Sequence, residues 1–266
     1  MKKAGFSRKQ LGIPYMIFLL AFVVAPLVVI VYYAFTNGSG QFTLQNLIDF
    51  FTNRNTIGTL VYSAIISVLT TLVCLLIAYP TAYILARGKW KSSTSLIMIF
   101  VMPMWINFTL RITAMKEVLT AIEGNMAFFP MLNTIIGMTY DFLPFMILPI
   151  YNQLAKLDDG VMEAAADLGA TPRQCFLKVA LPLSVPGIIS GVMMVFLPAM
   201  TNYVVLDMLY NSTYIMGSLI GSYFNVENWN NGSMISLILL AIIFIVSGCL
   251  NKYGDEEAAE RGGAVF

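Results

Sequence analysis

Apolar residues occur along this chain in runs that are long enough to cross a lipid bilayer. A helix needs about 20 apolar residues to span a hydrocarbon core of ~30 Å. Six segments reach or approach that length: residues 13–35, 60–85, 95–112, 131–151, 184–206 and 234–250. The pattern predicts an all-α, polytopic membrane protein with six transmembrane helices, organised as a single transmembrane domain over residues 1–266.

The composition excludes an ordinary soluble domain, since 58% of the residues are hydrophobic, 11% are charged and none is histidine. Four basic residues, Lys2, Lys3, Arg8 and Lys9, precede the first apolar run, as they do in a secretory signal. That run is longer than the apolar core of a signal peptide, and no small-residue cleavage site follows it. We therefore expect a first helix that is retained.

The basic residues predict the orientation of the spans, because the cytoplasmic side of a membrane protein carries most of them. With the N-terminus in the cytoplasm, 12 of the 15 lysines and arginines lie inside, and Arg54, Arg111 and Lys116 lie outside. Both termini are then cytoplasmic, and residues 252–266 form a polar tail that we expect to be mobile. The predicted outer loops are residues 36–59, 113–130 and 207–233.

The third predicted outer loop is rich in aromatic side chains, which gather at membrane interfaces. They are either anchors in the interface or contacts for an extracytoplasmic partner, and Glu227 is a candidate contact for the same partner. The aromatic residues are Tyr214, Tyr223, Phe224 and Trp229.

A polar stretch, residues 158–182, interrupts the apolar runs on the predicted cytoplasmic side. Asp158 or Asp159 can cap a first short helix, and Gly169 stands where a left-handed residue would end it. Residues 171–174 (Thr-Pro-Arg-Gln) have the pattern of a capping box with proline in the first turn, which predicts a second helix. We call this helix–glycine–helix stretch the elbow and expect it to dock on another protein.

The common motifs of nucleotide and metal chemistry are absent from the sequence. It contains no GxxxxGK(S/T) loop, no HExxH pair and no Cys/His cluster, and the isolated Cys74, Cys175 and Cys249 are expected to be inert. We therefore expect no enzyme activity, no catalytic residue, no cofactor and no metal site, and the net charge of +1 predicts no nucleic-acid partner. Energy for uphill transport would have to come from an ion gradient or from another polypeptide.

The elbow resembles the signature loop of the permease subunits of ATP-binding cassette (ABC) importers. The matching residues are Glu163-Ala164-Ala165, Gly169, Val179 and Leu181-Pro182. The family more often has isoleucine where this chain has Val179. The resemblance implies a fold like that of a type I ABC importer permease, in which the elbow docks on a homodimer of ATPase subunits that bind the ATP and Mg²⁺.

Five elbow side chains are candidates for that docking contact. The small side chains of Ala164 and Ala165 would let a helix seat closely in a groove of the partner. Glu163, Asp167 and Arg173 could pair with charges on the partner surface. Gly169 permits the turn between the two helices.

Further motifs resemble the spermidine/putrescine branch of these permeases, and within it the first of the two non-identical permease subunits. They are Pro103-Met104-Trp105 with Asn107 and Arg111, Leu143-Pro144-Phe145-Met146, Pro149-Ile150-Tyr151, Pro186-Gly187-Ile188-Ile189-Ser190-Gly191, Leu197-Pro198-Ala199-Met200 and Asp207. The resemblance implies a subunit of the bacterial cytoplasmic membrane that imports a small cationic substrate. Its implied partners are a second, non-identical permease and an extracytoplasmic substrate-binding protein.

Two acids are candidates for the substrate path, because a polycation is suited by carboxylates with aromatic faces between them. Asp141 lies beside Tyr140 near the middle of the fourth predicted span, where a charge costs ~2.5–3.5 kcal/mol and persists mainly if it faces a bundle interior or water. Asp207, which the resemblance places in the path, follows Tyr203 by one helical turn, and Trp105 is the remaining aromatic candidate. Alternatively, Asp141 is a structural residue at a helix contact, Asp207 is an interfacial acid, and the rings are interfacial packing.

Arg111 would repel a cation if it faced the path. We therefore expect it to reach outward or to neutralise an acid such as Glu117.

The sequence leaves three alternatives to a polyamine importer open. The same architecture could carry an anion or a metal chelate. A self-contained ion-coupled carrier or membrane enzyme is the second alternative, and a scaffold or sensor subunit is the third.

Overall fold

A computed structural model describes residues 8–88, 93–124, 128–210 and 215–262. Within these ranges the chain is α-helical, with no β-strand and a single isolated bridge between Thr36 and Phe42. The all-α class predicted from the sequence is confirmed. The helices are α1 (Arg8–Leu19), α2 (Ala25–Ala34), α3 (Gln45–Thr52), α4 (Arg54–Arg87), α5 (Ser93–Val101), α6 (Phe108–Glu123), α7 (Pro130–Ala155), α8 (Asp159–Asp167), α9 (Pro172–Cys175), α10 (Leu181–Leu183), α11 (Val185–Thr201), α12 (Val204–Tyr210), α13 (Met216–Asn225) and α14 (Trp229–Gly262).

Four stretches of helix among the described residues are long and apolar enough to cross a membrane. They are Gly12–Ala34, Arg54–Arg87, Pro130–Ala155 and Trp229–Leu250. Two bent pairs also qualify when each pair is taken together: Ser95–Trp105 with Phe108–Glu123, and Pro172–Leu183 with Val185–Thr201. The count is up to six if each bent pair is one span, which agrees with the predicted number.

The third predicted span, residues 95–112, is broken in the structure. α5 continues as a 3₁₀ turn over Met102–Trp105, and α6 then leaves at 95°. Asn107 starts the new helix, because its side chain accepts a hydrogen bond from Thr109 N at 2.9 Å. Residues 113–123, which were expected in an outer loop, therefore belong to a helix.

The fifth predicted span, residues 184–206, also contains a break. α11 stops at Thr201, and Asn202 starts α12 by accepting hydrogen bonds from Val204 N at 3.0 Å and Val205 N at 3.4 Å. In both broken spans, an asparagine inside an apolar run is the local signal for a new helix.

Other segments that were expected to be loop or tail are helical. α3 and the first residues of α4 lie in the predicted outer loop 36–59, and α13 lies in the predicted loop 207–233. α14 continues to Gly262, because residues 255–260 (Asp-Glu-Glu-Ala-Ala-Glu) include good helix formers. The predicted polar tail is therefore helical as far as it is described, and residues 263–266 lie outside the described ranges.

The chain divides into two compact units. The first consists of the described residues up to Ile57 together with Leu219–Ile242, and the second of Gly58–Ser218 together with the described residues from Ile243 onward. The second unit contains the elbow and all the residues predicted for the substrate path. That residues 1–266 form one domain stays a prediction.

The core of the second unit depends on close contact between α7 and α11. A Cβ added at Gly187 would lie 2.8 Å from Pro149 O and 2.7 Å from Gln153 Cβ. A Cβ added at Gly191, one turn further on, would lie 2.7 Å from the sulfur of Met146. Small residues four positions apart let membrane helices approach closely, and van der Waals contact then holds them together.

In the first unit, two asparagines bind carbonyl groups at the end of α2. Asn46 on α3 donates to Ala34 O at 2.8 Å and to Thr36 O at 2.9 Å. Asn230 on α14 donates to Thr36 O at 2.6 Å and to Tyr33 O at 3.1 Å. The last carbonyls of a helix have no partner within that helix, so these bonds hold α3 and α14 against the end of α2.

Two of the predicted outer aromatic residues belong to the packing of the first unit. The ring of Trp229 lies 5.3 Å from that of Phe224 and 6.4 Å from that of Tyr33, between centroids. Such contacts stabilise a fold beyond the area that they bury. Tyr214 lies outside the described residues.

Gly187→Ala is expected to destabilise the protein, because the new Cβ would collide with the backbone of α7. Overpacking a core typically costs about 1–3 kcal/mol. The measurement is thermal unfolding of the purified importer in detergent, where we expect a lower midpoint than for the wild type. Gly248→Ala is the matched control, since an added Cβ at Gly248 of α14 meets no atom within 4 Å. Equal midpoints for the two variants would contradict the importance of this contact.

Candidate functional site

The first arm of the elbow is α8, and Asp158 caps its N-terminus. The Asp158 carboxylate accepts a hydrogen bond from Gly160 N at 3.0 Å, which satisfies one free N–H group of the first turn. Asp159, the other predicted cap, is instead the first helical residue, and its charge there complements the helix dipole. The expected start of the elbow helix is thus confirmed, with Asp158 as the cap.

Gly169 ends the first arm in the left-handed conformation that the sequence predicted, with φ of +85°. Gly169 N donates to Ala166 O at 2.9 Å, and Ala170 N donates to Ala165 O at 3.1 Å. This pair of bonds is a Schellman motif. The signature alanines therefore contribute carbonyl groups to the turn as well as small side chains, of which Ala164 is exposed and Ala165 is partly exposed.

The second arm begins with the predicted capping box. Thr171 N donates to Gln174 Oε1 at 2.8 Å, and Gln174 N donates to Thr171 Oγ1 at 3.3 Å. The helix continues through a π-turn over Phe176–Ala180, in which Leu181 N donates to Phe176 O. Pro182, which has no N–H to donate, follows directly. Leu181 and Pro182 are both partly buried, so this end of the signature packs against the protein itself.

Aromatic and polar contacts attach the second arm to α4. The ring of Phe176 lies edge-on to Tyr79 and Tyr83, with centroids 5.6 and 4.9 Å apart. The hydroxyls of Tyr79 and Ser184 share a buried hydrogen bond of 3.0 Å. These contacts couple the second arm to α4.

Two further contacts connect the elbow to the long helices. Arg87, the last residue of α4, forms an ion pair with Asp159 on the first arm. Gln153 of α7 donates from Nε2 to Leu183 O at 3.3 Å. Sequence reasoning missed these contacts because the partners lie on distant segments; Arg87 and Asp159 are 72 positions apart.

Much of the elbow surface is exposed. Leu168 has 90% of its surface exposed, and it lines a cavity of about 370 Å³ together with Gly169. Glu163, Asp167 and Arg173 are exposed and form no ion pair with any residue that the structure describes. An exposed apolar side chain and exposed, unpaired charges on the same short stretch suit a contact with another protein.

Asp207 and Tyr203 are presented together at the start of α12. Asp207 N donates to Tyr203 O at 2.9 Å, which is the predicted one-turn relation, and both side chains are exposed. Lys116 of α6 donates from Nζ to Met208 O at 2.8 Å. Gly137 of α7 lets α12 approach, since a Cβ there would lie 3.1 Å from an α12 side chain. The carboxylate and the ring thus stand on a helix that α6 and α7 hold in place.

The other two predicted aromatic path residues are also accessible. Trp105 is 77% exposed at the end of the 3₁₀ turn, and Tyr140 is 37% exposed on α7. Within the described part of the chain, no hydrogen bond connects Tyr140 to Asp207 or Asp141. Their part in a substrate path stays a prediction.

Asp141 forms a buried ion pair with Arg111. Arg111 Nη2 lies 2.9 Å from Asp141 Oδ1, and the side chains are 7% and 1% exposed, respectively. The expectation that Arg111 reaches outward is wrong. Arg111 does neutralise an acid, but that acid is Asp141 on α7, while Glu117 is exposed. The Arg111 guanidinium also lies 5.8 Å from the centre of the Phe108 ring.

Among the described residues, neighbouring groups give this ion pair no hydrogen bonds. Arg111 Nε and Nη1 and both carboxylate oxygens of Asp141 have no hydrogen-bond partner there. Removing one partner of a buried pair leaves an uncompensated charge, which costs about 3–5 kcal/mol. The signal that could have found the pair is Asn107, because a helix that starts there begins a new segment and carries Arg111 on its first turn.

Two solved structures share the fold. One is a bacterial ABC transporter involved in the import of the acidic polysaccharide alginate, with a TM-score of 0.71 and 13% sequence identity, and the match covers 91% of this chain and 93% of that one. The other is the MetNI methionine ABC transporter in an inward-facing conformation, with a TM-score of 0.54, 18% identity and coverage of 75% and 93%. At these identities the likeness concerns the fold alone.

Two relatives are similar along most of the sequence. The spermidine/putrescine transport system permease protein PotB of Haemophilus influenzae is 36% identical over 259 residues, which cover 88% of this chain and 90% of the relative. PotB of Escherichia coli is 32% identical over 216 residues, which cover 73% of this chain and 78% of the relative.

The family model described as "Binding-protein-dependent transport system inner membrane component" matches residues 75–253. The matched residues include the whole elbow, the helices on both sides of each broken span (α5 with α6, and α11 with α12), and the Arg111–Asp141 pair. The membrane helices, the elbow and these similarities agree with one another. The chain belongs to the family of inner membrane components of binding-protein-dependent transport systems, and is a multi-pass permease subunit of an ABC importer.

Proposed function

We propose that this chain is a permease subunit of an ATP-driven importer of polyamines, spermidine or putrescine, and that it forms half of the translocation path. The polyamine class is supported by the names of the two relatives and by the exposed pair of Asp207 and Tyr203, which suits a cationic solute. The chain catalyses no reaction itself. ATP and Mg²⁺ bind to the partner ATPase, since the sequence has no phosphate-binding loop.

The proposed assembly contains four kinds of subunit in a bacterial cytoplasmic membrane. A homodimer of ATPase subunits binds the elbow on the cytoplasmic side, where both termini also lie. A second, non-identical permease completes the path, and an extracytoplasmic binding protein delivers the substrate. The orientation is supported by the distribution of lysine and arginine.

The observation that carries the proposal is the position and exposure of the elbow. It connects α7 directly to α11, and its arms are attached to α4 through Phe176 and Asp159. Leu168, Glu163 and Arg173 remain exposed for a partner. A surface that is free to bind and is attached to three long helices can pass a movement of the ATPase to the membrane domain.

That movement is a rigid-body motion of packed helices. α7 and α11 touch at Gly187 without space for a methyl group, so a displacement of the elbow moves both. When the ATPase pair closes on ATP, the path shifts from inward-open to outward-open. Release of ADP and phosphate after hydrolysis reverses the shift. The binding protein delivers the substrate to the path while the path is outward-open.

In the proposed path, an amine meets Asp207 and Tyr203, with Trp105 and Tyr140 as further aromatic faces. Asp141 pairs with an ammonium group only if Arg111 is displaced and finds water or another partner, because a guanidinium left alone in a buried site is costly.

Glu163→Arg is expected to abolish co-purification of the ATPase subunits, because it reverses a charge on the docking surface without touching the core. Glu117→Arg is the matched control, since Glu117 is also exposed but lies on α6, on the predicted outer side. The measurement is the amount of ATPase retained on the affinity-purified permease. Retention at the wild-type level by Glu163→Arg would mean that the ATPase docks elsewhere.

Asp207→Asn is expected to lower polyamine uptake by about tenfold or more, because a hydrogen bond to a charged group contributes about 1.5–3 kcal/mol. The measurement is uptake of labelled spermidine by vesicles that contain the assembled importer and excess binding protein. Asp207→Glu keeps the charge and should retain most of the uptake. Unchanged uptake by Asp207→Asn would place this acid outside the path.

Arg111→Met and Asp141→Asn are each expected to lower the yield of assembled importer, because each leaves one buried charge unpaired, at a cost of about 3–5 kcal/mol. The double variant should assemble better than either single variant, since it removes both charges. Yield is measured by size-exclusion chromatography. Assembly of the single variants at the wild-type level would contradict the ion pair.

The double variant also tests the place of Asp141 in the path. We expect it to transport spermidine poorly although it assembles. Uptake at the wild-type rate would instead assign Asp141 to helix packing alone.

A further inference from the structure

The first unit contains a polar cavity of about 300 Å³ that includes no residue of the elbow or of the proposed path. Its lining comes from α3, the start of α4, α13 and α14. A volume near 300 Å³ is at the small end of pockets that hold organic ligands. On the predicted orientation, all of the lining residues except Ile235 belong to the outer loops 36–59 and 207–233.

Several polar groups that line the cavity have no partner within the protein. Thr56 is 2% exposed, yet its hydroxyl forms no hydrogen bond among the described residues. The hydroxyl of Tyr223 and the side-chain amide of Asn231 are likewise without a hydrogen bond in that part of the chain. Because buried polar side chains normally have partners, the unpaired hydroxyl of Thr56, with the partly buried Tyr223 and Asn231 also lining the cavity, suits a polar ligand.

Existing hydrogen bonds leave two acceptor atoms of the lining residues without a donor. Both bonds from Asn46 Nδ2 go to backbone carbonyls, which leaves Asn46 Oδ1 as an acceptor. Gln45 Nε2 donates to Asp49 Oδ1 at 2.8 Å, which orients the carboxylate and leaves Asp49 Oδ2. Asp49, an exposed residue, is the charged residue among the lining residues, so the cavity carries a negative charge on its solvent-accessible side.

We propose that this cavity binds the protonated primary amine of a small alkylamine, as a site that the substrate occupies before it enters the path. The three N–H donors of an ammonium group match three acceptors: Asp49 Oδ2, Asn46 Oδ1 and the hydroxyl of Thr56. The ring of Tyr223 provides an aromatic face for the cation, and Phe50 and Ile235 add apolar wall for methylene groups. The identity of the amine as the transported solute rests on the proposed function.

The experiment is calorimetric titration of the assembled importer in lipid nanodiscs with putrescine, in the absence of the binding protein. Asp49→Asn should weaken binding at this site by tenfold or more, because it removes the charge from the hydrogen bond. Thr56→Val, which keeps the side-chain shape, should weaken binding severalfold. Glu117→Gln, which changes an exposed acid that does not line the cavity, should bind putrescine as the wild type does.

Putrescine binding by Asp49→Asn at the wild-type affinity would overturn the inference, and so would the absence of any binding by the wild type. A third outcome also overturns the inference: Asp49→Asn weakens docking of the binding protein while putrescine binding is unchanged. The carboxylate would then contact a lysine of that protein. Failure of the proposed function is seen separately. A wild-type importer that takes up no polyamine would contradict that function, while a loss of putrescine binding in Asp49→Asn would still support the cavity.

Discussion

The close contact between α7 and α11 is the constraint on which the second unit depends. Lipid tails are as apolar as leucine, so membrane helices gain little from hydrophobic burial against each other and associate through packing. Gly187 and Gly191 provide that packing by removing side chains where α11 meets Pro149 and Met146. Because the elbow is the segment between these two helices, the contact that stabilises the fold also determines what a force on the elbow moves.

Charged side chains in the apolar part of the molecule are also constrained by the lack of water around them. The carboxylate of Asp141 is expensive in hydrocarbon unless a cation accompanies it, and Arg111 provides that cation at 2.9 Å. Outside the apolar region the charges behave differently. Asp207, Glu163 and Arg173 are exposed, so no internal partner is needed to stabilise them. Exposed charges are thus available for recognition, whereas the buried pair is committed to the fold until something replaces one of its members.

The caps and the turn of the elbow could be predicted from the sequence, because they depend on residues within one or two helical turns of each other. Asp158, Gly169 and the Thr171–Gln174 box all act locally. The break at Asn107 was harder to predict, since apolar residues surround it and a hydropathy window averages over a single capping residue. The Arg111–Asp141 pair could not be predicted, because it requires both that break and the contact of two segments distant in sequence.

The exposure of Leu168 has a consequence for how the subunit persists in a cell. Keeping a leucine in water forgoes about 1.5–3 kcal/mol of burial free energy, which is a sizeable share of the stability of an ordinary fold. In the proposed assembly, a partner that covers Leu168 binds the folded subunit and stabilises it by mass action. The amount of folded subunit in a cell is then expected to rise with the supply of that partner.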